Sequence, residues 1–423
     1  MTKLLSAEEF LGLIEKGADL IFPLTNGEPH HLLNILEENY TSLENVKVHQ
    51  LLALRERAYM RGEMKGHFEH ISYFLSGATR KAFADGTIEL MPNNFHDVPR
   101  LLKTTTKMSM VLAVASPMDE NGYFSLGTQA DCVSEFIGEV PFVLEVNEHM
   151  PRTFGENQIH VSQIEGYVVN HMPLTELPNA PISEKDLAIA SYVAEKICDG
   201  DTLQIGIGAV PNAVMNLLKN HKRLGIHTEM LPDGVVDLIK WGAVDGTRKF
   251  TNKGKVVTSF IYGTKRLYDF VHNHPAFELL PVSKVNDPRE LAKEKNLVSI
   301  NATTEVDLYG QCASETIGGR YYSSTGGQAD FAKGARFAEN GKGFICMPST
   351  TKNDTISKIN LQLSPGSVVT TSKNDVDYIV TEYGIAHLYG KSLSARAEAL
   401  INIAHPKFRD ELSFEAKKLG ILI

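Results

Sequence analysis

Short apolar runs closed by turn residues recur along the chain and alternate with longer stretches in which apolar residues repeat at helical spacing. The short runs, rich in β-branched and aliphatic residues, predict strands at 202–205, 254–263, 342–348, 366–372 and 377–384. The longer stretches predict helices at 233–244 and 394–405. Strands that alternate with helices predict parallel, doubly wound α/β sheets with ligands at the carboxyl ends of the strands.

One order of elements occurs twice. Residues 15–36 and 195–218 each contain a predicted helix, a turn with Gly and Asp, an apolar strand, a Gly-containing loop, a proline and an apolar helix. Pro29 and Pro211 hold equivalent places at the start of a predicted helix, where the missing N–H of proline costs nothing. The repetition indicates an internal duplication.

A second pair of similar segments, 111–131 and 297–319, lies at a similar distance into each half. Each predicts a buried strand, a turn with Asp and Gly, and a Ser-bearing segment. We therefore predict two similar, open, mostly parallel α/β domains, 1–180 and 186–423, joined by the Pro-rich stretch MPLTELPNAPIS. The alternative is a chance likeness between two ordinary strand-turn-helix units.

Length and charge narrow the possible partners. The chain has 423 residues, of which 43% are hydrophobic, which is enough for two cores. Its formal net charge is −9, and no run of Lys or Arg is long enough to follow a phosphate backbone, so we expect no nucleic-acid partner. A few local cations can still bind the phosphates of a small ligand.

The N-terminus and the cysteines favour a cytoplasmic location. The opening MTKLLSAEEF carries acidic residues and lacks the apolar region of a signal peptide. No stretch approaches the roughly 18 apolar residues of a membrane span. Cys132, Cys198, Cys312 and Cys346 are far apart and form no CxxC pair, so neither a disulfide framework nor a zinc site is predicted. We expect a soluble protein without a membrane partner.

A glycine-containing loop follows the predicted strand at 202–205 and opens a helix. Its residues are Gly206, Ile207, Gly208, Ala209 and Val210. Glycines allow the backbone to approach a ligand, and a helix N-terminus favours negative charge, so the loop is a candidate binding site. A purely structural turn can have the same pattern, and a GxG alone does not decide between them.

Glu229 lies where a predicted strand ends and Pro232-Asp233-Gly234 turns into a helix, which is the edge where function is expected. A carboxylate with an ordinary pKa of about 4.3 is ionised at neutral pH and can attack an activated acyl group without a separate base. The alternative is a structural carboxylate that caps or pairs with the next helix.

The segment SSTGGQADF, from Ser323 to Phe331, has paired glycines. Adjacent N–H groups in such a turn can point at one oxygen, as an oxyanion hole requires. A surface hairpin is the alternative.

Polar chemistry also follows the later strands. The predicted strand that ends near Met347 is followed by hydroxyl side chains, backbone amides and Lys352, and Lys358 comes soon after. These groups could bind a phosphate. The alternative is a solvated surface loop, which has the same composition. Glu382 follows another apolar strand. His67 and His70 have the spacing of a metal pair, but we find no third ligand at suitable spacing and predict no metal site.

Several motifs, taken together and in order, resemble one family. GIGAVPNAV, HTEMLPDGVVDL, VNDP, TGGQADF and VTEYGIAHL follow one another, preceded by SGATRKAF and NGYFSLGTQAD. The chain resembles the class I coenzyme A (CoA) transferases of the acetyl-CoA hydrolase/transferase group, in particular 4-hydroxybutyrate and butyrate:acetate CoA-transferases. The resemblance covers nearly the whole chain and is strongest from Gly206 onward.

The resemblance implies roles for individual residues. Glu229 matches the glutamate that carries the acyl group and then CoA. Gly327 matches a glycine whose N–H serves the oxyanion hole. The loop from Gly206 to Val210 matches a CoA-contacting segment. Ser323 matches a residue that contacts CoA, and Lys352 matches a lysine at the phosphate end of CoA. Asn286 and Glu382 match residues that line the acyl and carboxylate pocket.

The implied activity is acyl-CoA:carboxylate CoA transfer by a ping-pong cycle through Glu229. Acetate with butyrate or 4-hydroxybutyrate are the expected acids, CoA is a substrate, and no cofactor is bound permanently. A homodimer or tetramer is a family-level expectation. The alternatives are an acetyl-CoA hydrolase, in which water reaches the intermediate, and a non-catalytic acyl-CoA-binding protein, which would not need Glu229.

Overall fold

The computed structural model describes residues 3–351 and 353–422. The chain forms two compact units. The first comprises the chain up to Leu177 together with Val257–Val285, and the second comprises Pro178–Val256 together with the chain from Asn286 onward. The linear division at 1–180 and 186–423 stays a prediction.

The strands, in chain order, are β1 Asp19–Phe22, β2 Val46–Leu51, β3 Phe68–Phe74, β4 Glu89–Leu90, β5 Met110–Ala115, β6 Tyr123–Ser125, β7 Phe142–Val146, β8 Gln158–His160, β9 Gly166–Val169, β10 Thr202–Ile205, β11 Gly225–Leu231, β12 Val256–Ile261, β13 Phe277–Leu279, β14 Leu297–Ala302, β15 Glu305–Asp307, β16 Cys312–Ala313, β17 Thr316–Ile317, β18 Arg320–Tyr321, β19 Lys342–Cys346, β20 Ile359–Asn360, β21 Tyr378–Thr381 and β22 Gly384–His387.

The α-helices are α1 Ala7–Leu11, α2 His30–Glu38, α3 Arg80–Ala84, α4 Val98–Thr105, α5 Glu184–Ala194, α6 Ala209–Leu217, α7 Gly234–Lys240, α8 Lys265–Val271, α9 Val282–Val285, α10 Pro288–Leu291, α11 Gln328–Phe337, α12 Leu393–Asn402 and α13 Pro406–Lys418. Local sequence explains where several of them begin. Ser183 and Asp186 form a capping box at the start of α5, and Pro406 takes the first position of α13.

The first unit contains a parallel sheet in the order β4-β3-β2-β1-β5-β7-β9. Every residue of the apolar run in β5 is buried, as expected for an inner strand covered on both faces. Helix α2 adds Leu32, Leu33 and Leu36 to the core of this unit, because these residues share one face of the helix.

The second unit contains the strand order β11-β10-β14-β19-β21-β22. Neighbouring strands from β11 to β21 are parallel, and β22 returns antiparallel. The order β2-β1-β5-β7-β9 of the first unit corresponds to β11-β10-β14-β19-β21 of the second. The prediction of two similar, mostly parallel α/β domains is therefore confirmed.

The predicted strand at 202–205 is β10, and the predicted runs at 254–263, 342–348 and 377–384 contain β12, β19 and β21. The predicted helices contain α7 and most of α12. The two prolines of the duplicated segment are not equivalent in detail, because Pro29 is the residue before α2 whereas Pro211 is the third residue of α6.

The prediction of a strand at 366–372 is wrong. Gly366 has a φ of 84°, which turns the chain. The N–H groups of Thr370 and Thr371 both donate to the carbonyl oxygen of Cys312, so the segment forms an isolated bridge instead of a ladder. In the part of the chain that is described, no helix combines the length and apolar character that a membrane span requires.

Candidate active site

Glu229 lies in β11, two residues before the strand ends at Leu231. The predicted position at the strand terminus is thus displaced into the strand. Thr228, the preceding residue, is buried, and its Oγ1 accepts a hydrogen bond from the N–H of Ile205 at 3.3 Å. Glu229 therefore stands beside the end of β10, where the predicted glycine loop begins.

Asn286 donates a hydrogen bond from Nδ2 to Glu229 Oε2 at 2.7 Å. It directly precedes Asp287, whose side chain caps α10 by accepting the N–H of Arg289. Asn286 is fully buried, and its Oδ1 has no hydrogen-bond partner within residues 3–351 and 353–422. Leaving a buried acceptor unpaired costs about 1–3 kcal/mol. The unpaired Oδ1 of Asn286 therefore indicates that Asn286 has a role other than stabilising the fold.

Gly327 approaches both of these side chains. A Cβ atom built on Gly327 would lie 1.7 Å from Glu229 Oε2 and 2.3 Å from Asn286 Nδ2. The backbone of Gly327 has φ −96° and ψ 0°, so its φ lies in the range that other residues adopt. Glycine is therefore required by the space that Glu229 and Asn286 occupy and not by backbone conformation.

The environment of Glu229 changes its acidity. Burial in the packed site raises the pKa of the Glu229 carboxyl group from 4.5 to about 7. The hydrogen bond from Asn286 opposes this shift, and the negative charge of Asp330 adds to it. The expectation of an ordinary pKa is therefore wrong, because desolvation outweighs the hydrogen bond from Asn286.

The predicted glycine loop, Gly206 to Val210, joins β10 to α6. The N–H of Gly206 bonds the carbonyl oxygen of Ile300 at 3.1 Å. Gly208 is the N-cap residue of α6 and has a φ of 126°, a backbone conformation that residues with a Cβ rarely adopt. Ile207 is 52% exposed, so this loop presents an apolar side chain next to a helix N-terminus. Both features suit a ligand with an apolar arm and anionic groups.

Ser323, the predicted CoA contact, forms hydrogen bonds with nearby residues of the chain. Its Oγ donates to the carbonyl oxygen of Ser324 at 3.3 Å, and its N–H donates to Glu315. The assignment of Ser323 to CoA stays a prediction.

Glu382 lies in a second cluster. Its carboxylate accepts hydrogen bonds from the N–H and Oγ of Ser349, at 2.7 and 2.9 Å, and pairs with Lys185 at 3.4 Å. Lys185 also bonds Asp354 Oδ1 at 2.6 Å and Thr350 Oγ1 at 3.3 Å. Among the described residues, Glu382 makes no hydrogen bond to Glu229. The structure thus brings Glu229, Asn286 and Gly327 together and places Glu382 in a separate polar network.

Lys352, the predicted phosphate-binding residue, lies outside the described residues. The histidine pair has a structural environment. His67 Nδ1 bonds the carbonyl oxygen of Leu43 at 2.7 Å, and burial lowers the pKa of His70 to about 3, so that His70 is neutral. Within the described ranges, no group of three His, Cys, Asp or Glu side chains could hold a metal ion.

Comparison with known proteins identifies the family. The description of the acetyl-CoA hydrolase/transferase N-terminal domain matches residues 1–177, and that of the C-terminal domain matches residues 263–416. A succinyl-CoA:cyclohexane-1-carboxylate CoA transferase of Geobacter metallireducens is 44% identical over 99% of this chain and 96% of its own length. The chain belongs to the acetyl-CoA hydrolase/transferase family.

Other members of this family agree with the assignment. A 4-hydroxybutyrate coenzyme A transferase of Clostridium kluyveri is 43% identical over 98% of this chain and 97% of its own. The crystal structure of RipA from Yersinia pestis superimposes with a TM-score of 0.93 at 37% identity, covering 99% and 98% of the two chains. The predicted family and the predicted enzyme class, a CoA-transferase, are confirmed.

Three residues near the site were missed as candidates. Asp330 lies three positions after Gly327, inside the quoted motif TGGQADF, and its place in the first turn of α11 was the available signal. Lys185 had no signal, because its partners Thr350 and Asp354 lie more than 160 positions away in sequence. Glu315 lies in no quoted motif, and its bond to Thr370 spans 55 positions.

Proposed function

We propose that this CoA-transferase moves CoA from a short-chain acyl-CoA to a free carboxylate by a ping-pong cycle through Glu229. The proposal is supported by the position of Glu229 Oε2, which accepts a hydrogen bond from Asn286 Nδ2 and lies against the backbone at Gly327. Because Gly327 has no side chain, its backbone lies directly beside the Glu229 carboxylate. Covalent acyl transfer needs such a nucleophile next to backbone N–H groups that can stabilise an oxyanion.

The cycle balances without a proton or a redox partner. A Glu229 oxygen attacks the acyl-CoA carbonyl carbon and forms a C–O bond. The C–S bond of the tetrahedral adduct then breaks, so that CoA leaves as a thiolate and a mixed acyl-glutamyl anhydride remains. The thiolate attacks the glutamyl carbonyl carbon, the anhydride C–O bond breaks, and the first acid leaves as a carboxylate. The incoming carboxylate reverses these steps on the glutamyl-CoA thioester. CoA is thus a substrate, and no permanently bound cofactor takes part.

The remaining roles follow from the same proposal. The N–H of Gly327 stabilises the oxyanion of each tetrahedral stage, and Asn286 holds Glu229 in place. The loop from Gly206 to Val210 contacts CoA beside the thioester. Ser323 also contacts CoA, and Lys352 binds its phosphate end. Glu382 belongs to the lining of the carboxylate pocket, held by Ser349 and Lys185.

The choice of acid is part of the proposal. Acetate with butyrate or 4-hydroxybutyrate fits the second relative described above. The two relatives are named for different acids, so their names alone do not select one for this chain. A panel of acceptor acids, assayed by release of the new acyl-CoA, orders them by kcat/KM.

The test is to trap the covalent intermediate. Protein is incubated with acetyl-CoA or butyryl-CoA without an acceptor, and peptides are examined by mass spectrometry. We expect CoA on the peptide that contains Glu229, and loss of activity when borohydride reduces the thioester. Steady release of free CoA without an acceptor identifies a hydrolase, and binding without adduct or turnover identifies a non-catalytic protein.

Adduct formation should depend on pH. Only the ionised form of Glu229 attacks, and its pKa is about 7, so the single-turnover rate should rise with pH and level off above about pH 8. At pH 6 about one-tenth of the carboxyl groups are ionised, and the rate should fall to about a tenth of its plateau. Stopped-flow or quenched-flow measurement of CoA loading checks this, and a rate that is constant between pH 5.5 and 8 contradicts it.

A further inference from the structure

The turn that contains Gly326 and Gly327 is not held in one conformation by its own residues. Gly326 has a φ of 58°, and Gly327 adjoins it without a side chain. Paired glycines are the most conformationally free residues of a chain, so a turn built from them must be held by its neighbours. In this chain the residues on either side of the pair, Thr325 and Gln328, are both tied to the same short region of the second unit.

Glu315 holds the side that precedes the glycines. Its Oε1 accepts hydrogen bonds from Thr325 Oγ1 at 3.3 Å and from Thr370 Oγ1 at 2.9 Å. Its carbonyl oxygen accepts the N–H groups of Tyr322 at 2.8 Å and Ser323 at 3.2 Å. Glu315 is 5% exposed, so its carboxylate is largely shielded from solvent. One residue therefore contacts both ends of the 322–325 segment.

Gln328 holds the side that follows the glycines. Its Nε2 donates to Ser314 Oγ at 2.8 Å and to Thr371 Oγ1 at 3.1 Å. Ser314 is the neighbour of Glu315 in sequence, and its N–H donates to Thr370 Oγ1 at 2.9 Å. The two anchors thus share one hydrogen-bonded frame formed by 314–315 and 370–371.

We propose that Glu315 and Gln328 are positioning residues for CoA transfer, and this inference rests on the proposed function. They hold the Gly326–Gly327 turn against Glu229 without touching the reacting atoms. A shift of about 1 Å at a catalytic contact can cost about 10²-fold in rate, and residues that lock such a contact act through geometry. Their loss should therefore slow the chemical step and leave acyl-CoA binding nearly unchanged.

The test uses graded variants of the full chain. Glu315→Ala removes the acceptor, Glu315→Gln keeps an oxygen that both hydroxyls can reach, and Gln328→Ala removes the second anchor. Thr325→Val removes only one hydroxyl at nearly constant shape. The control is Glu305→Gln, because Glu305 is also a buried carboxylate that accepts several hydrogen bonds, from Asn360, Ser364 and Ser367.

We expect Glu315→Ala and Gln328→Ala to lower kcat and the rate of Glu229–CoA formation by about 10- to 100-fold, with KM for acyl-CoA changed by less than about threefold. Glu315→Gln should recover most of the rate, and Thr325→Val should lose about three- to tenfold. Glu305→Gln should keep the wild-type rate. If Glu315→Ala does not fold, as judged by circular dichroism, Thr325→Val and Gln328→Ala decide the question.

Two failures are distinguishable. If the wild-type chain forms no adduct on Glu229, the proposed function fails. If the wild-type chain forms the adduct and the Thr325 and Gln328 variants form it within twofold of the same rate, the positioning role is overturned. A rise in KM with kcat unchanged would also overturn it, because that result assigns the frame to binding.

Discussion

Replacing Gly327 with alanine is expected to lower the rate of CoA transfer by about 10²-fold or more while the chain stays folded. The new methyl group would lie 1.7 Å from Glu229 Oε2 and 2.3 Å from Asn286 Nδ2, where no carbon atom fits. Either the nucleophile or the turn must move, and a displacement of about 1 Å at this contact is enough for a loss of that size. The measurement is the single-turnover rate of CoA loading together with kcat.

The fold should tolerate the change, because φ −96° and ψ 0° suit alanine. A matched control is Gly12→Ala, since a Cβ on Gly12 meets its neighbours at ordinary distances of 3.4 and 3.5 Å. We expect the control to keep wild-type kinetics. A Gly327→Ala enzyme that loads CoA at the wild-type rate would show that Glu229 and the turn do not act together.

The sheet was largely predictable because buried parallel strands have a simple signature. The run at 202–205, Thr-Leu-Gln-Ile, is bounded by a Gly-Asp turn and a Gly loop, and is β10 in the structure, where all four residues are buried. The run at 366–372 has equally strong strand propensity, but Gly366 turns the chain and the carbonyl oxygen of Cys312 takes two of its N–H groups. Propensity could not show this, because the competing partner lies more than fifty residues away.

The resemblance named three residues that the structure brings together, but the sequence did not predict their physical state. The resemblance assigned Glu229, Asn286 and Gly327, and the structure joins the first two by a hydrogen bond across 57 positions. Asn286 lies between α9 and α10 and not on a strand, so tertiary packing alone brings it to Glu229 in β11. The raised pKa of Glu229 depends on how tightly that edge is packed, which no local pattern records. The network of Lys185 with Glu382 also depends on tertiary packing alone.

Replacing Glu229 with glutamine is expected to abolish transfer and, at the same time, to stabilise the protein. Glutamine keeps the size of the side chain and can still accept the hydrogen bond from Asn286, but its amide is not a nucleophile. Removing the attacking group of a covalent mechanism costs on the order of 10³-fold or more, and the CoA adduct should disappear from this peptide. Activity near wild type in this variant would exclude Glu229 as the relay.

The stability change has a defined pH dependence. The pKa of Glu229 is raised by burial from 4.5 to about 7, so the folded chain binds the proton more tightly than the unfolded chain. The stability due to this group is fully present below about pH 4.5 and is lost as pH rises through 7, by up to about 3 kcal/mol. Glu229→Gln carries no such penalty, and its advantage in free energy of unfolding should be small at pH 5 and largest at pH 8.

Urea denaturation of both proteins at the two pH values measures this difference, with the exposed Glu120→Gln as the control that should show none. A gain at pH 8 together with lost catalysis would mean that the fold tolerates a destabilising charge because the chemistry requires it. Equal stabilities of wild type and Glu229→Gln at pH 8 would show instead that the ionised carboxylate is well solvated in the free enzyme, and the raised pKa would then have to be abandoned.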